Sequence, residues 1–424
     1  MHAAVAAVIF VATLIAIVVR PRGISEAWAA SVGAVLMIVT ASVSPASALQ
    51  AVASEWNLFL FFLGLMLTAA VADMAGFFDW AADLAVLSAR GSGRRLLFNV
   101  LVLGAVITAF LSNDATAVIL TPIVYAIATR LRMAVMPYLF AVAFMANSAS
   151  MTLPISNPIN ILVGDRLRAP LLEYESHLLP ASLAAIAVTV VAFMVMFRRA
   201  TASTFDSEAA RKGIRGSRPF FAMTLAGLAV LALAYIIGAA SLWPLGVIAT
   251  GGGLVLLGVA AINRGLSRDH LRAHVSPSLF VYIAALFILV RAVEDAGITG
   301  ALMANLVSRA ADAGTAVAVA LLGSGLLSNA VNNLPGVLVF VSGAEAGGVP
   351  RTLQEPFLFG ALAGADLGPN LTPVGALSTM LWLAIVRRRG VEVSAWDFMR
   401  IGLVVAPLTI LAALLLIALS FRSP

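Results

Sequence analysis

The chain has no cysteine, and Lys212 is the one lysine among its 26 basic residues. Only 11% of its 424 residues are charged. Without cysteine there can be no disulfide, no thiolate metal site and no cysteine nucleophile. The four histidines are scattered outside the polar breaks and form no metal constellation. No His-Glu-x-x-His run and no serine nucleophile setting is present, so an intramembrane enzyme has no chemistry to draw on, and no cofactor is implied. What the chain has instead is apolar surface: 62% of its residues are hydrophobic, and its mean hydropathy is +1.03. That composition describes a polytopic all-α membrane protein with little room for a soluble domain. The net charge of +6 is carried by arginines between apolar runs. It is therefore topology information and not a footprint for nucleic acid.

The run from Ala3 to Val19 is followed, not preceded, by basic residues (Arg20, Arg22), so a first transmembrane helix is expected there and not a signal peptide. Further helices are expected at about 24–43, 56–75, 178–197, 219–238, 243–263, 278–296 and 400–421. Polar residues interrupt four of the remaining runs. Ser112-Asn113-Asp114 lies inside an apolar stretch from Leu96 to Ala128, which is longer than the roughly 20 residues a single span needs. Arg90, Arg94 and Arg95 precede it, and Arg130 and Arg132 follow it. A hairpin of two half-length helices over about 96–129, entering and leaving on one arginine-rich side, accounts for both facts. Broken backbone at membrane depth survives only where protein or a water-filled cavity covers it. A second hairpin is expected at about 314–341, with broken helices at about 133–167 and 356–386. In the first broken helix two prolines and four polar residues fall within Thr152–Asn160.

The two halves repeat. Leu58-Phe59 through Ala75-Gly76 aligns with Leu279-Phe280 through Ala296-Gly297 without a gap, and Ser112-Asn113 with Ser328-Asn329. With the basic loops inside, the repeats are inverted and both termini lie outside. The expected division is an N-terminal repeat (1–198), a basic cytoplasmic linker (199–218) and a C-terminal repeat (219–424), each repeat with five transmembrane helices and a re-entrant hairpin. Paired interruptions in inverted halves point to a transport site at mid-membrane. Asp114 and Asp366 are the only carboxylates in the breaks. Each suits a coupling proton or sodium ion, although each is also a good helix cap.

Ser112–Pro122, Ser156–Ile161, Asn332–Pro335 and Asp366–Leu377, with Trp382 beyond, resemble the ion transporter superfamily, and within it the ArsB-type arsenical pump membrane proteins. The resemblance covers nearly the whole chain. It implies a secondary transporter of the bacterial inner membrane, embedded in lipid. Such a protein exports arsenite and antimonite by proton exchange, or with an accessory cytoplasmic ATPase. Asn113, Asn147, Ser148, Asn157, Asn332, Asn333 and Thr372 are the expected substrate-binding residues, and Asp114 and Asp366 the proton-coupling ones. The alternative within the superfamily is a carboxylate or sodium/proton transporter. A carboxylate site would be helped by an arginine inside a break, and none is there.

Overall fold

A computed structural model describes residues 2–206 and 218–422. The described residues form helices and no β-sheet. The chain opens with α1 (His2–Val19), α2 (Glu26–Val39), the short α3 (Pro45–Ala53) and α4 (Trp56–Met74), followed by α5 (Phe77–Ser88). The first hairpin rises as α6 (Gly93–Phe110). It returns as α7 (Asn113–Ala115), a π-turn over Thr116–Leu120, and α8 (Thr121–Arg130). The first broken helix is α9 (Val135–Ser148) and α10 (Pro158–Leu167), and α11 (Leu171–Met196) closes this half. The second half runs α12 (Arg218–Ala240), α13 (Leu245–Ile262), α14 (Arg268–His274), α15 (Pro277–Asp295) and α16 (Ile298–Val307). Its hairpin is α17 (Ala313–Val331) and α18 (Asn333–Gly343), with a π-turn over Ala344–Gly348. The second broken helix is α19 (Arg351–Leu367) and α20 (Leu377–Arg388), and α21 (Ala395–Ser420) ends the fold. Eight of these helices are long and apolar enough to cross a membrane, among them α6 and α17.

Three expectations change. The segment Ser44–Glu55, expected as a loop between the helices at about 24–43 and 56–75, contains a helix, because Ser44 accepts from Ser47 N–H at 3.0 Å and Pro45 follows, which starts α3. The hairpin arms are not half-length: α6 alone has 18 residues, about 27 Å at 1.5 Å per residue. Third, the repeated Ser-Asn pair does not mark both turns: the second hairpin turns at Asn332, one of the residues picked from sequence, whereas Ser328 and Asn329 lie inside α17, four and three residues earlier. Of the basic linker, 207–217 lie outside the described residues.

Close packing rests on small residues, as expected where lipid supplies no hydrophobic drive between helices. A Cβ on Gly64 of α4 would sit 2.1 Å from the Ala249 backbone of α13, and one on Gly364 of α19 would sit 2.1 Å from the Leu321 carbonyl of α17. Asn57 accepts from Gly246 N–H at 2.8 Å and Thr250 donates to the Leu60 carbonyl at 2.6 Å, so α4 and α13 run parallel. The closing helices run antiparallel. His177 near the start of α11 bonds Ser420 at the end of α21 (2.7 Å), while Phe193 and Phe398 at the opposite ends both pack on Phe144.

Candidate functional site

Both hairpin tips hold a non-glycine residue in backbone space that glycine alone occupies cheaply. Ser112 has φ 131°, ψ 163°, and Asn332 has φ 80°, ψ 156°. Such residues cost about 1–3 kcal/mol each and persist only where their surroundings over-determine them. At the first tip the surroundings are visible. Ser112 Oγ accepts from Ala115 N–H (3.2 Å), Thr116 donates to the Ser112 carbonyl (3.0 Å), and Thr116 pairs with Thr108 across the arms (2.8 Å). Asn113 folds back so that its Oδ1 accepts from Asp114 N–H at 2.9 Å.

The start of α20 meets all four breaks. Ser378 donates to Asn147 Oδ1 at 3.1 Å, and Asn147 Nδ2 donates to Thr379 Oγ1 (3.1 Å) and Asn370 Oδ1 (3.2 Å). Asn370 in turn donates to Ser148 Oγ at 3.0 Å, which also accepts from Thr189 of α11 at 2.8 Å. Met380 Sδ lies 3.4 Å from Asn332 Nδ2 at the second tip. Leu377 and Leu381 face the first tip across a cavity. One helical turn thus touches hairpin, broken helix and hairpin again.

The break in the first broken helix is held by its own residues. Asn157 caps α10 by accepting from Ile159 N–H at 3.3 Å, with Pro158 at the first helical position. Asn160 donates to the carbonyls of Ser150 (2.7 Å) and Leu153 (3.0 Å), and Ser156 donates to the Ala109 carbonyl of α6 at 3.0 Å. Asn157 Nδ2 reaches across to Asp366 Oδ1 at 2.6 Å, joining the two broken helices.

Of the nine residues picked from sequence, Asn147, Ser148, Asn157, Asp366 and Asn332 enter this assembly. Thr372 is half-buried beside it, donating to Asn329 Oδ1 at 2.7 Å, and Asn329 also donates to the Gly368 carbonyl at 2.8 Å. Asn333 is buried at the second tip. Four members went unpicked: Ser378, Thr379, Asn370 and Thr189. Asn370 lies inside the Asp366–Leu377 motif and the two hydroxyls directly follow it, so proximity to that motif was the available signal; Thr189 carries none. Buried oxygens without a partner remain at Asp366 Oδ2, Asn332 Oδ1, Ser328 Oγ and Asn160 Oδ1. Each such acceptor in a protein interior costs about 1–3 kcal/mol unless a donor arrives.

The two aspartates differ in setting. Asp366 is 1% exposed within the network. Asp114 instead looks into a cavity of about 430 Å³, which runs from Glu26, His274 and Arg388 at helix ends inward to Ser112 and Asp114. Its walls include Phe62, Met66 and Ala69 of α4 and Tyr282 of α15. Tyr125 of α8 donates to the Arg389 carbonyl at 3.2 Å, so the cavity mouth lies at the arginine-rich base of the first hairpin. Among the described residues, Asp114 is the only carboxylate at its inner end.

Comparison with known proteins decides the family. The family model for the arsenical pump membrane protein matches residues 5–420. The chain belongs to the arsenical pump membrane protein family. Among its relatives, an arsenical pump membrane protein of Yersinia enterocolitica is 32% identical over 413 residues, covering 93% of this chain and 94% of the relative. One of Escherichia coli (strain K12) is 30% identical over 432 residues, covering 98% and 99%. In fold, the chain is similar to the Alcanivorax borkumensis YdaH transporter, with a TM-score of 0.56 at 17% identity over 89% of this chain and 87% of that one. Family membership and the apolar helices make this chain an integral membrane transporter.

Proposed function

We propose that this chain exports arsenite and antimonite from the cytoplasm in exchange for protons, by alternating access around the four breaks. The observation that carries the reading is the family match along the whole chain. The chemistry of the site agrees with it. With no cysteine in the chain, thiolate ligation is impossible. Near neutral pH arsenite is mostly the uncharged trihydroxide, whose O–H groups donate and accept. The unpartnered oxygens of Ser328, Asn332 and Asp366 are acceptors suited to such donors. Neutral hydrogen bonds contribute only about 0.5–1.5 kcal/mol each, so binding is weak and release is easy. Asp114 and Asp366 are assigned to the proton, and Asn113, Asn147, Ser148, Asn157, Asn332, Asn333 and Thr372 to the solute or to the geometry that receives it.

In this reading the halves 1–198 and 219–424 are inverted repeats joined by the cytoplasmic linker 199–218. The arginine-rich side with the cavity mouth faces the cytoplasm, and both termini lie outside. An accessory cytoplasmic ATPase is an optional partner. Arsenate is rejected, because its charge would be desolvated near two carboxylates with no arginine at the cavity's inner end. The test is uptake into inside-out vesicles carrying the protein. Arsenite and antimonite accumulate when the vesicle interior is acidified, a protonophore abolishes the accumulation, and Asn332→Ala or Asn333→Ala loses it. Arsenate transport at a similar rate overturns the reading.

A further inference from the structure

At the end of α4 opposite the cavity mouth, one arginine ties three segments together. Arg166, near the end of α10, bonds Glu55, the residue before α4, and its Nε lies 2.9 Å from Glu345 Oε1 in the π-turn that closes the second hairpin. The adjoining Asp165 accepts from Asn57 Nδ2 of α4 at 2.6 Å, and Asn57 in turn accepts from Gly246 N–H at the start of α13. The broken helix of the first half and the hairpin of the second are therefore both fastened, at one point, to the paired helices α4 and α13.

The position of this knot in the fold is informative. The other end of α4 carries Asp73, which lies 3.8 Å from His274 at the cavity mouth. Glu55 and Asp73 are 18 residues apart, about 27 Å along a helix at 1.5 Å per residue. The cavity climbs α4 from that mouth as far as Phe62, which leaves about 10 Å of helix between its inner end and the Arg166 knot. The structure is thus open on one side of Asp114 and closed on the other, and the knot lies on the closed side. Ser342, three residues before Glu345, donates to Glu294 of α15 at 3.1 Å, so the hairpin end is also held by the second half.

We propose that Arg166 is the gating residue of the closed side, holding the transporter open to the cavity mouth through Glu55 and Glu345, and that both pairs part when the opposite face opens. This deepens the alternating-access reading and rests on it. A purely architectural ion pair would hold in every state. A gate must be broken once per cycle, and the outer pair is one that water can replace: Arg166 is 30% and Glu345 44% exposed, while Glu55 on the inner side is 8% exposed.

The test uses the absence of native cysteine. Ala69→Cys places a single thiol in the cavity wall, and a membrane-impermeant maleimide reports its accessibility from the cavity-mouth side in inside-out vesicles, with no substrate present. Arg166→Gln removes both pairs and should shift the equilibrium between the two faces by about two- to thirtyfold, which slows labelling from the mouth side. It should also raise labelling from the opposite side in right-side-out vesicles. The double variant Glu55→Gln/Glu345→Gln gives a second route to the same state should Arg166→Gln fold poorly. Arg166→Lys, which keeps a cation between Glu55 and Glu345, should leave both rates near those of the parent. Unchanged labelling from both sides in Arg166→Gln and in the double variant overturns the proposal. Because the readout needs no solute, failure of arsenite transport would defeat the function reading and leave this result standing.

Discussion

Removing the Asn147 side chain tests whether the network at α20 holds the halves together. Asn147 is 1% exposed and makes three hydrogen bonds to the second half, at 3.1, 3.1 and 3.2 Å. At about 0.5–1.5 kcal/mol net each, three bonds contribute about 1.5–4.5 kcal/mol. Relaxation could lower the cost if the abandoned groups found other partners. Ser378 and Thr379 lie in the first turn of α20, so no helical carbonyl four residues earlier is available to their hydroxyls. Asn370 keeps its bond to Ser148 through Nδ2, but its Oδ1 loses the donor. Asn147→Ala should therefore cost about 3 kcal/mol, near the middle of the range. The assay is equilibrium unfolding in mixed detergent micelles, combined with Thr379→Val in a double-mutant cycle. A coupling of about 0.5 kcal/mol or more is expected for groups sharing a hydrogen bond. A cycle that closes to zero, or Asn147→Ala within about 0.5 kcal/mol of the parent, would show that the network contributes nothing net and refute the reasoning.

Three further outcomes are expected. Asp114→Asn keeps the shape of the residue facing the cavity but cannot carry a proton; it should fold normally and lose proton-dependent transport, and parental rates across several pH values would rule out the role. Single cysteines beside Arg95 and Arg130 should both label from the cytoplasm, since the arms of the first hairpin meet at one base, and labelling from opposite sides would contradict it. Gly64→Val should destabilise the α4–α13 pair by about 1–3 kcal/mol or more, because even a Cβ there meets backbone and not a movable side chain. Detergent-extracted protein that unfolds at the parental temperature would remove that contact from the account.

The order of the elements was legible in the sequence because two local rules govern it. A membrane span needs a long apolar run, and proline with asparagine in such a run breaks it, as at Pro154, Pro158, Pro369 and Pro373. Hence α1, α4, α12 and α15 lie where hydropathy put them, and all four breaks exist. The short α3 and α14 escaped because each is a few turns of mixed polarity between spans. Asn332, picked from sequence, does sit at the second tip, but the repeated Ser-Asn pair does not mark both turns, because such a pair says nothing of where φ turns positive. Tertiary structure alone decided which break meets which. Asn147 finds Asn370 and Thr379 across 223 and 232 residues, and Asn157 finds Asp366 across 209. No pattern along the chain encodes such partners, because they depend on how two folded halves are rotated against each other. The same rotation set Asp114 facing a cavity and Asp366 inside the network, though both are aspartates at polar breaks in apolar helices. It also brought Arg166, a single arginine at the end of a half-helix, against Glu55 and Glu345 from two other segments.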